Sequence, residues 1–74
     1  MSVFTIERVL FDLTSNPAAP ARFRDDADAF LADYPLEKDE AHLVRELDVR
    51  RMHDLGVDAV LAMRAFNAVG GAAG

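Results

Sequence analysis

The chain has 74 residues, no cysteine and a formal net charge of −5. This length allows a single domain, and the lack of cysteine excludes disulfide bonds, thiolate zinc sites and cysteine nucleophiles. The acidic balance argues against nucleic acid as a partner, and no apolar run approaches the roughly 20 residues of a membrane span. Glu7 and Asp12 interrupt the first apolar stretch, which is not typical of a signal peptide, so we expect a cytoplasmic protein.

The first predicted helix spans residues 3–13. Phe4 and Phe11 lie seven residues apart and form an apolar edge beside its main stripe. Asn16 and Pro17 have the residue types of an N-cap and a first helical position, so they predict a short second helix. The main stripe of the first helix repeats at helical spacing and consists of Val3, Ile6, Leu10 and Leu13.

The third predicted helix follows Asp25 and Asp26, whose side chains suit an N-cap. Pro35 is its predicted end, because the residue before a proline is disfavoured in the α conformation. Its apolar positions are spaced three, one and three residues apart and indicate one buried face, formed by Ala27, Phe30, Leu31 and Tyr34.

The fourth helix is predicted over residues 37–47, where an acidic first turn suits the helix dipole. Asp48 is the predicted N-cap of a short fifth helix. Gly56 is the glycine that ends this fifth helix.

The sixth helix is predicted over residues 59–69, with Asp58 as its N-cap and two glycines after its end. No alternation typical of a strand occurs in the sequence. The predicted fold class is therefore all-α, a small compact bundle of about five or six short helices. We expect residues 1–69 to form one helical domain and residues 70–74 to be a Gly/Ala-rich tail.

No constellation of catalytic or metal-binding residues is visible. His42 and His53 lie on different predicted helices, whereas a metal site needs three or four converging ligands. Ser2 and Ser15 occupy helix-start and turn positions, where capping explains them. We therefore predict no catalytic residue, no metal ligand and no cofactor in this chain, and no enzymatic activity of the chain on its own.

The two halves of the sequence differ in charge. Residues 43–74 carry four acidic and four basic side chains, whereas residues 1–42 carry nine and four. Because the centres of protein interfaces are depleted in charge, we predict part of a docking surface in the second half. The alternative is an ordinary solvated surface with exposed ion pairs. The predicted surface, called the arginine face, consists of Arg50, Arg51, Leu55, Val57 and Arg64.

Four further apolar side chains, Phe4, Phe11, Tyr34 and Met63, exceed what one small core needs. Some of them could form an exposed patch for a partner. They could equally be the scattered apolar surface of any small domain. The sequence leaves both interpretations open.

Several motifs occur in a characteristic order. They are E-R-x-L-x-D-L at Glu7–Leu13, N-P-A at Asn16–Ala18, R-F-x-x-D at Arg22–Asp26 and L-G-V-D-x-V-L-x-M-R at Leu55–Arg64. Over residues 4–69 the chain thereby resembles the LigA-type small (alpha) subunit of extradiol ring-cleavage dioxygenases of the protocatechuate type. The resemblance implies a LigA-like helical subunit that does no chemistry itself. It also implies a larger beta subunit as partner, which carries the non-haem Fe(II) and opens the aromatic ring.

A second resemblance concerns residues 36–48 together with Met52 and Leu55. This stretch is similar to the helical recognition domain of split borosin precursors, which are ribosomally synthesised peptides. It implies docking on an α-N-methyltransferase that uses S-adenosylmethionine and methylates backbone amides. The modified segment would then include Ala65, Phe66, Asn67, Ala68, Val69 and Gly70. The alternative for this segment is a helix that ends at a glycine.

Overall fold

The computed structural model describes residues 3–70, which form six helices and no strand. The all-α prediction is confirmed. In chain order the helices are α1 (Val3–Ser15), α2 (Ala19–Asp25), α3 (Ala27–Leu31), α4 (Lys38–Glu46), α5 (Val49–Asp54) and α6 (Ala59–Ala68).

The centre of the structure is the contact between α1 and α6, the first and last helices of the chain. On α6, Ala62 and Ala65 are fully buried, and their short side chains let the two helix backbones approach closely. On α1 the buried residues repeat at the spacing of one helix face, and they are Ile6, Val9, Leu10 and Leu13.

The other helices close the core from the sides. Phe23 of α2 meets Phe30 of α3 edge to face, with ring centroids 5.8 Å apart. This geometry is the favourable one for two aromatic rings and adds to the free energy gained by burying them. Met52 of α5 is fully buried against the same core, as is Val44 of α4.

Aspartate side chains begin three of the helices, as predicted from sequence. Asp26 accepts a hydrogen bond from the backbone N–H of Ala29, and Asp48 accepts one from Arg51. Asp58 Oδ1 accepts from two amides of the first turn of α6, at 2.9 and 3.1 Å. Each bond satisfies an amide that has no partner within its helix.

The start of α2 differs from the prediction. The helix begins at Ala19, and neither Asn16 nor Pro17 has the predicted role of N-cap and first helical residue. Asn16 instead accepts the N–H of Ala18 on its side-chain Oδ1, at 3.0 Å, which is a local turn. Its own N–H bonds to Asp12 and completes the end of α1, so the chain needs two more residues before it can turn into α2.

The third helix is also shorter than predicted. It ends at Leu31, whereas the prediction extended it to the residue before Pro35. Tyr34 lies in the following turn, and its hydroxyl donates a 2.6 Å hydrogen bond to Asp12 on α1. A contact between residues 22 positions apart thus competes with continuation of the helix, and the proline after Tyr34 disfavours the α conformation as well.

Positive backbone φ angles mark three helix ends. Gly56 has φ 99°, as predicted for the glycine that ends α5, and Gly70 has φ 92° after α6. Leu47 ends α4 with φ 49°, which costs roughly 1–2 kcal/mol for a residue with a Cβ. Because its side chain is buried, about 1.5–3 kcal/mol of hydrophobic free energy offsets that strain. Residues 71–74 of the predicted tail lie outside the described residues.

Candidate docking surface

The outer face of α1 carries two exposed aromatic rings. Phe4 is 85% exposed and Phe11 is 58% exposed, although Ile6, Val9, Leu10 and Leu13 on the inner face of the same helix are at most 1% exposed. The two residues are seven positions apart, so they lie on one side of the helix, two turns from each other. A large apolar side chain in water is ordinary when single, but two on one face form a patch.

A surface groove runs beside these rings and has a volume of about 720 Å³. One wall is the outer face of α1, and the other is the turn after α3, with Leu61 of α6 also in contact with the groove. We call this surface the aromatic groove. Its apolar lining is Phe4, Phe11, Tyr34, Pro35 and Leu61, and its charged lining is Glu7, Arg8, Asp12 and Asp33.

A hydrogen bond between Tyr34 and Asp12 joins the two walls of the aromatic groove. The Tyr34 hydroxyl donates to Asp12 Oδ2 at 2.6 Å. Burial of the phenol and its bond to the Asp12 carboxylate raise the pKa of Tyr34 to about 12. The tyrosine ring also packs on Phe30, with centroids 5.8 Å apart. These contacts therefore fix the turn after α3 against α1.

The aromatic groove is acidic. Three carboxylates and one guanidinium, that of Arg8, line it. Glu7 Oε2 accepts the backbone N–H of Asp58 at 3.0 Å, which ties α1 to the start of α6. Because Glu7 and Asp12 each use one carboxylate oxygen in these bonds, both keep acceptor capacity for a cationic group.

The residues of the predicted arginine face are only partly brought together. Arg51 and Leu55 line a second surface cavity of about 490 Å³, which His42 and Asp54 also line. Arg50 and Arg64 are exposed, on α5 and α6, and do not line this cavity. Val57 is only 2% exposed and packs in the core, so it can support this surface but offers a partner almost no contact area.

The segment predicted for methylation belongs largely to α6. Ala65 to Ala68 are helical, and Ala65 and Val69 are buried. Phe66 is partly buried, and Asn67 and Gly70 are exposed. The Val69 amide bonds to the Ala65 carbonyl at 3.2 Å, so replacing its hydrogen by a methyl group would break a helix-end bond.

The two histidines lie at the surface, on different helices. His42 on α4 and His53 on α5 are both exposed. Within residues 3–70, no group of three or more His, Asp or Glu side chains is placed to hold a metal ion. Over the same range, no helix has the length and apolar character needed to cross a membrane.

The sequence left open whether Phe4, Phe11, Tyr34 and Met63 form a docking patch or scattered apolar surface. Phe4, Phe11 and Met63 are exposed and Tyr34 is partly buried, so three of the four surplus apolar residues do remain at the surface. Asp33 and Pro35 were not associated with this surface from sequence. The feature of the sequence that indicated this surface was the seven-residue spacing of Phe4 and Phe11, which do not belong to the apolar stripe of the first helix.

Comparison with known protein families matches most of the chain to a family model. The family model described as aromatic-ring-opening dioxygenase LigAB, LigA subunit, matches residues 6–72. The match includes the segments Glu7–Leu13 and Leu55–Arg64, whose motifs carried the resemblance. No curated protein and no solved structure matches the chain.

Proposed function

Because the chain belongs to the LigA family of aromatic-ring-opening dioxygenase subunits, we propose that it is a non-catalytic small subunit that docks on a larger catalytic subunit. The larger subunit holds the non-haem Fe(II) and opens the aromatic ring. The family match over residues 6–72 carries the proposal.

The exposed aromatic rings support docking as the role of the chain. Phe4 is 85% exposed and would gain roughly 1.5–3 kcal/mol if a partner covered it completely. Phe11, at 58% exposure, would gain less because the chain already covers part of its ring. Aromatic residues, phenylalanine among them, are enriched at the centres of protein interfaces. A chain whose own core supplies only a few kcal/mol would also be stabilised by such a contact.

The role of the docked subunit is to cover the catalytic partner and to help close its substrate cavity. Closing such a cavity excludes water, which strengthens the electrostatic interactions inside it. The chain contributes a rigid helical surface to this enclosure and no reacting group. Loss of the subunit should therefore reduce the rate of ring opening while the metal remains on the larger subunit.

We also propose the exposed residues of the arginine face as a second, weaker contact. Arg50 and Arg51 are solvated and adjacent on α5, and Leu55 follows at the end of the same helix. Charged residues at the rim of an interface mainly change the association rate and its salt dependence. The contribution of this face should accordingly fall as the ionic strength rises.

Co-expression with the larger dioxygenase subunit of the same genome tests the proposal. We expect the two chains to co-elute as one complex and the ring-opening rate to rise when the small chain is added to the isolated larger subunit. A larger subunit that elutes alone and works at the same rate with or without the small chain would contradict the proposal.

The alternative function is that of a borosin-like precursor peptide. The intact mass of the chain purified from its native host distinguishes this alternative from a dioxygenase subunit. The dioxygenase subunit should have its unmodified mass. Increments of about 14 Da for each N–H replaced by N–CH₃, confined to residues 65–74, would instead identify a methyltransferase substrate.

A further inference from the structure

We propose that the aromatic groove binds a segment of the larger subunit that presents an apolar side chain flanked by lysine or arginine. The inference rests on the proposed function, because it assumes a larger subunit as partner.

The apolar part of the proposal rests on Phe4 and Phe11. They stand on the helix face opposite the core, at 85% and 58% exposure, and Leu61 and Pro35 extend the apolar area across the groove. The groove volume of about 720 Å³ lies in the range of formed binding pockets and accommodates several side chains of one segment.

The groove is pre-formed, which favours a specific occupant. The 2.6 Å bond from Tyr34 to Asp12 fixes the turn after α3 against α1, and the bond from the Asp58 amide to Glu7 fixes α6 against α1. The segments around the groove are therefore held in place by bonds within the chain before a partner binds. Such pre-organisation lowers the entropic cost of association.

The charge of the groove selects the flanking residues of the occupant. Glu7, Asp12 and Asp33 outnumber Arg8, so the groove attracts cations and repels anions.

A second copy of this chain is an unfavourable occupant, because a two-fold contact of this face would place the carboxylates of one copy against those of the other. The chain as a whole also has a net charge of −5. A basic segment of a different protein has the complementary charge.

The test uses the recombinant larger subunit as the probe and calorimetry at low and high salt as the measurement. The double variant Phe4→Ser/Phe11→Ser should bind roughly 100-fold more weakly than the unmodified chain, since two central aromatic anchors are removed. Phe4→Leu/Phe11→Leu, which keeps most of the apolar area, should restore most of the affinity. Circular dichroism should be unchanged in both, because neither ring belongs to the core.

The matched control is Val60→Ser/Met63→Ser. These two apolar residues are exposed on α6 at 63% and 46% and do not line the groove, so their loss should change the affinity by less than about 3-fold. For the charge, Asp33→Lys should weaken binding by about 10-fold at low salt and by less at high salt.

The outcomes separate this inference from the proposed function. Failure of the unmodified chain to bind the larger subunit would overturn both. Binding that the double serine variant leaves unchanged, or that the control variant lowers as strongly, would overturn the groove assignment alone. Binding that Asp33→Lys strengthens would show an acidic rather than a basic occupant and would overturn the stated chemistry.

Discussion

The aromatic groove and the arginine face differ in the hydration free energy of their exposed side chains. Phe4 and Phe11 expose apolar rings that gain free energy when covered, whereas Arg50 and Arg51 are exposed cations that lose hydration on burial. Charge distribution drew attention to the arginine face in the sequence. In the folded chain, exposed apolar area beside a pre-formed groove is the stronger indication of a docking surface.

The first prediction compares the two faces of α1 through neighbouring residues. Leu10 is fully buried and Phe11 is 58% exposed. Leu10→Ala should destabilise the fold by about 2–5 kcal/mol, which is close to the whole stability expected of so short a chain. Phe11→Ala should change stability by less than about 0.5 kcal/mol. Urea unfolding followed by circular dichroism measures both.

Equal losses of stability in these two variants would show that Phe11 supports the core. The surface role of the outer face would then be wrong. A stable, helical Leu10→Ala variant would in turn contradict the central place of the contact between α1 and α6.

The second prediction concerns the bond that joins the groove walls. Tyr34→Phe removes the hydroxyl that donates to Asp12 and should cost about 1.5 kcal/mol of stability, since the acceptor is a carboxylate. Partner affinity should also fall, because the turn after α3 is less firmly held. The control variant is Arg51→Ala, which changes the arginine face and should have almost no effect on stability. Thermal unfolding distinguishes the two.

The third prediction is the pH dependence of the same bond. Burial and the Asp12 carboxylate raise the pKa of Tyr34 to about 12 in the folded chain, above its ordinary value of 10.0. The contribution to stability is therefore fully present below pH 10 and is lost as the pH rises from 10 towards 12. Because the chain has one tyrosine and no tryptophan, the ultraviolet absorbance of tyrosinate reports this titration directly. A midpoint near 10 would contradict the structure of the groove.

The fourth prediction concerns the cap that holds α6 beside the groove. Asp58→Ala removes an acceptor for two first-turn amides and should cost about 1 kcal/mol, with the largest loss of order near Leu61. Asp54→Ala is the control, since Asp54 lies at the end of α5 and caps no helix start. Hydrogen exchange of the α6 amides should rise in the first variant and stay unchanged in the second.

The smallest effect is expected at the arginine face. Arg50→Glu/Arg51→Glu should leave helicity intact and weaken complex formation by about 3- to 10-fold at low salt, because exposed charge pairs contribute little each. Unchanged affinity would remove these residues from the interface. A loss larger than that of Phe4→Ser/Phe11→Ser would reverse the comparison between the two surfaces.

The sequence predicted the parts of the fold that depend on local rules. Asp26, Asp48 and Asp58 act as N-caps and Gly56 ends α5, because each of these roles depends on neighbours within a few residues. The short second and third helices were predicted less well. Tyr34 leaves the helix for a partner 22 residues away, and no local pattern contains that contact.

The candidate site was only partly predictable for the same reason. The spacing of Phe4 and Phe11 predicted that they share one edge of α1 beside the buried stripe, whereas in the structure they lie on the face opposite the core. Asp33 and Pro35 reach the groove through the turn that Tyr34 holds, which depends on tertiary structure. Val57 illustrates the opposite error, because helix-end apolar residues look alike in sequence whether they face the core or a partner.

Site-specific photo-crosslinking tests the central claim most directly. A benzophenone amino acid replaces Phe11 in one sample and Arg51 in another, and each is irradiated with the larger dioxygenase subunit. Docking through the aromatic groove predicts a strong crosslink from position 11 to a basic, apolar segment of the larger subunit and a weaker one from position 51. A crosslink from position 51 without one from position 11, or none from either, would contradict it.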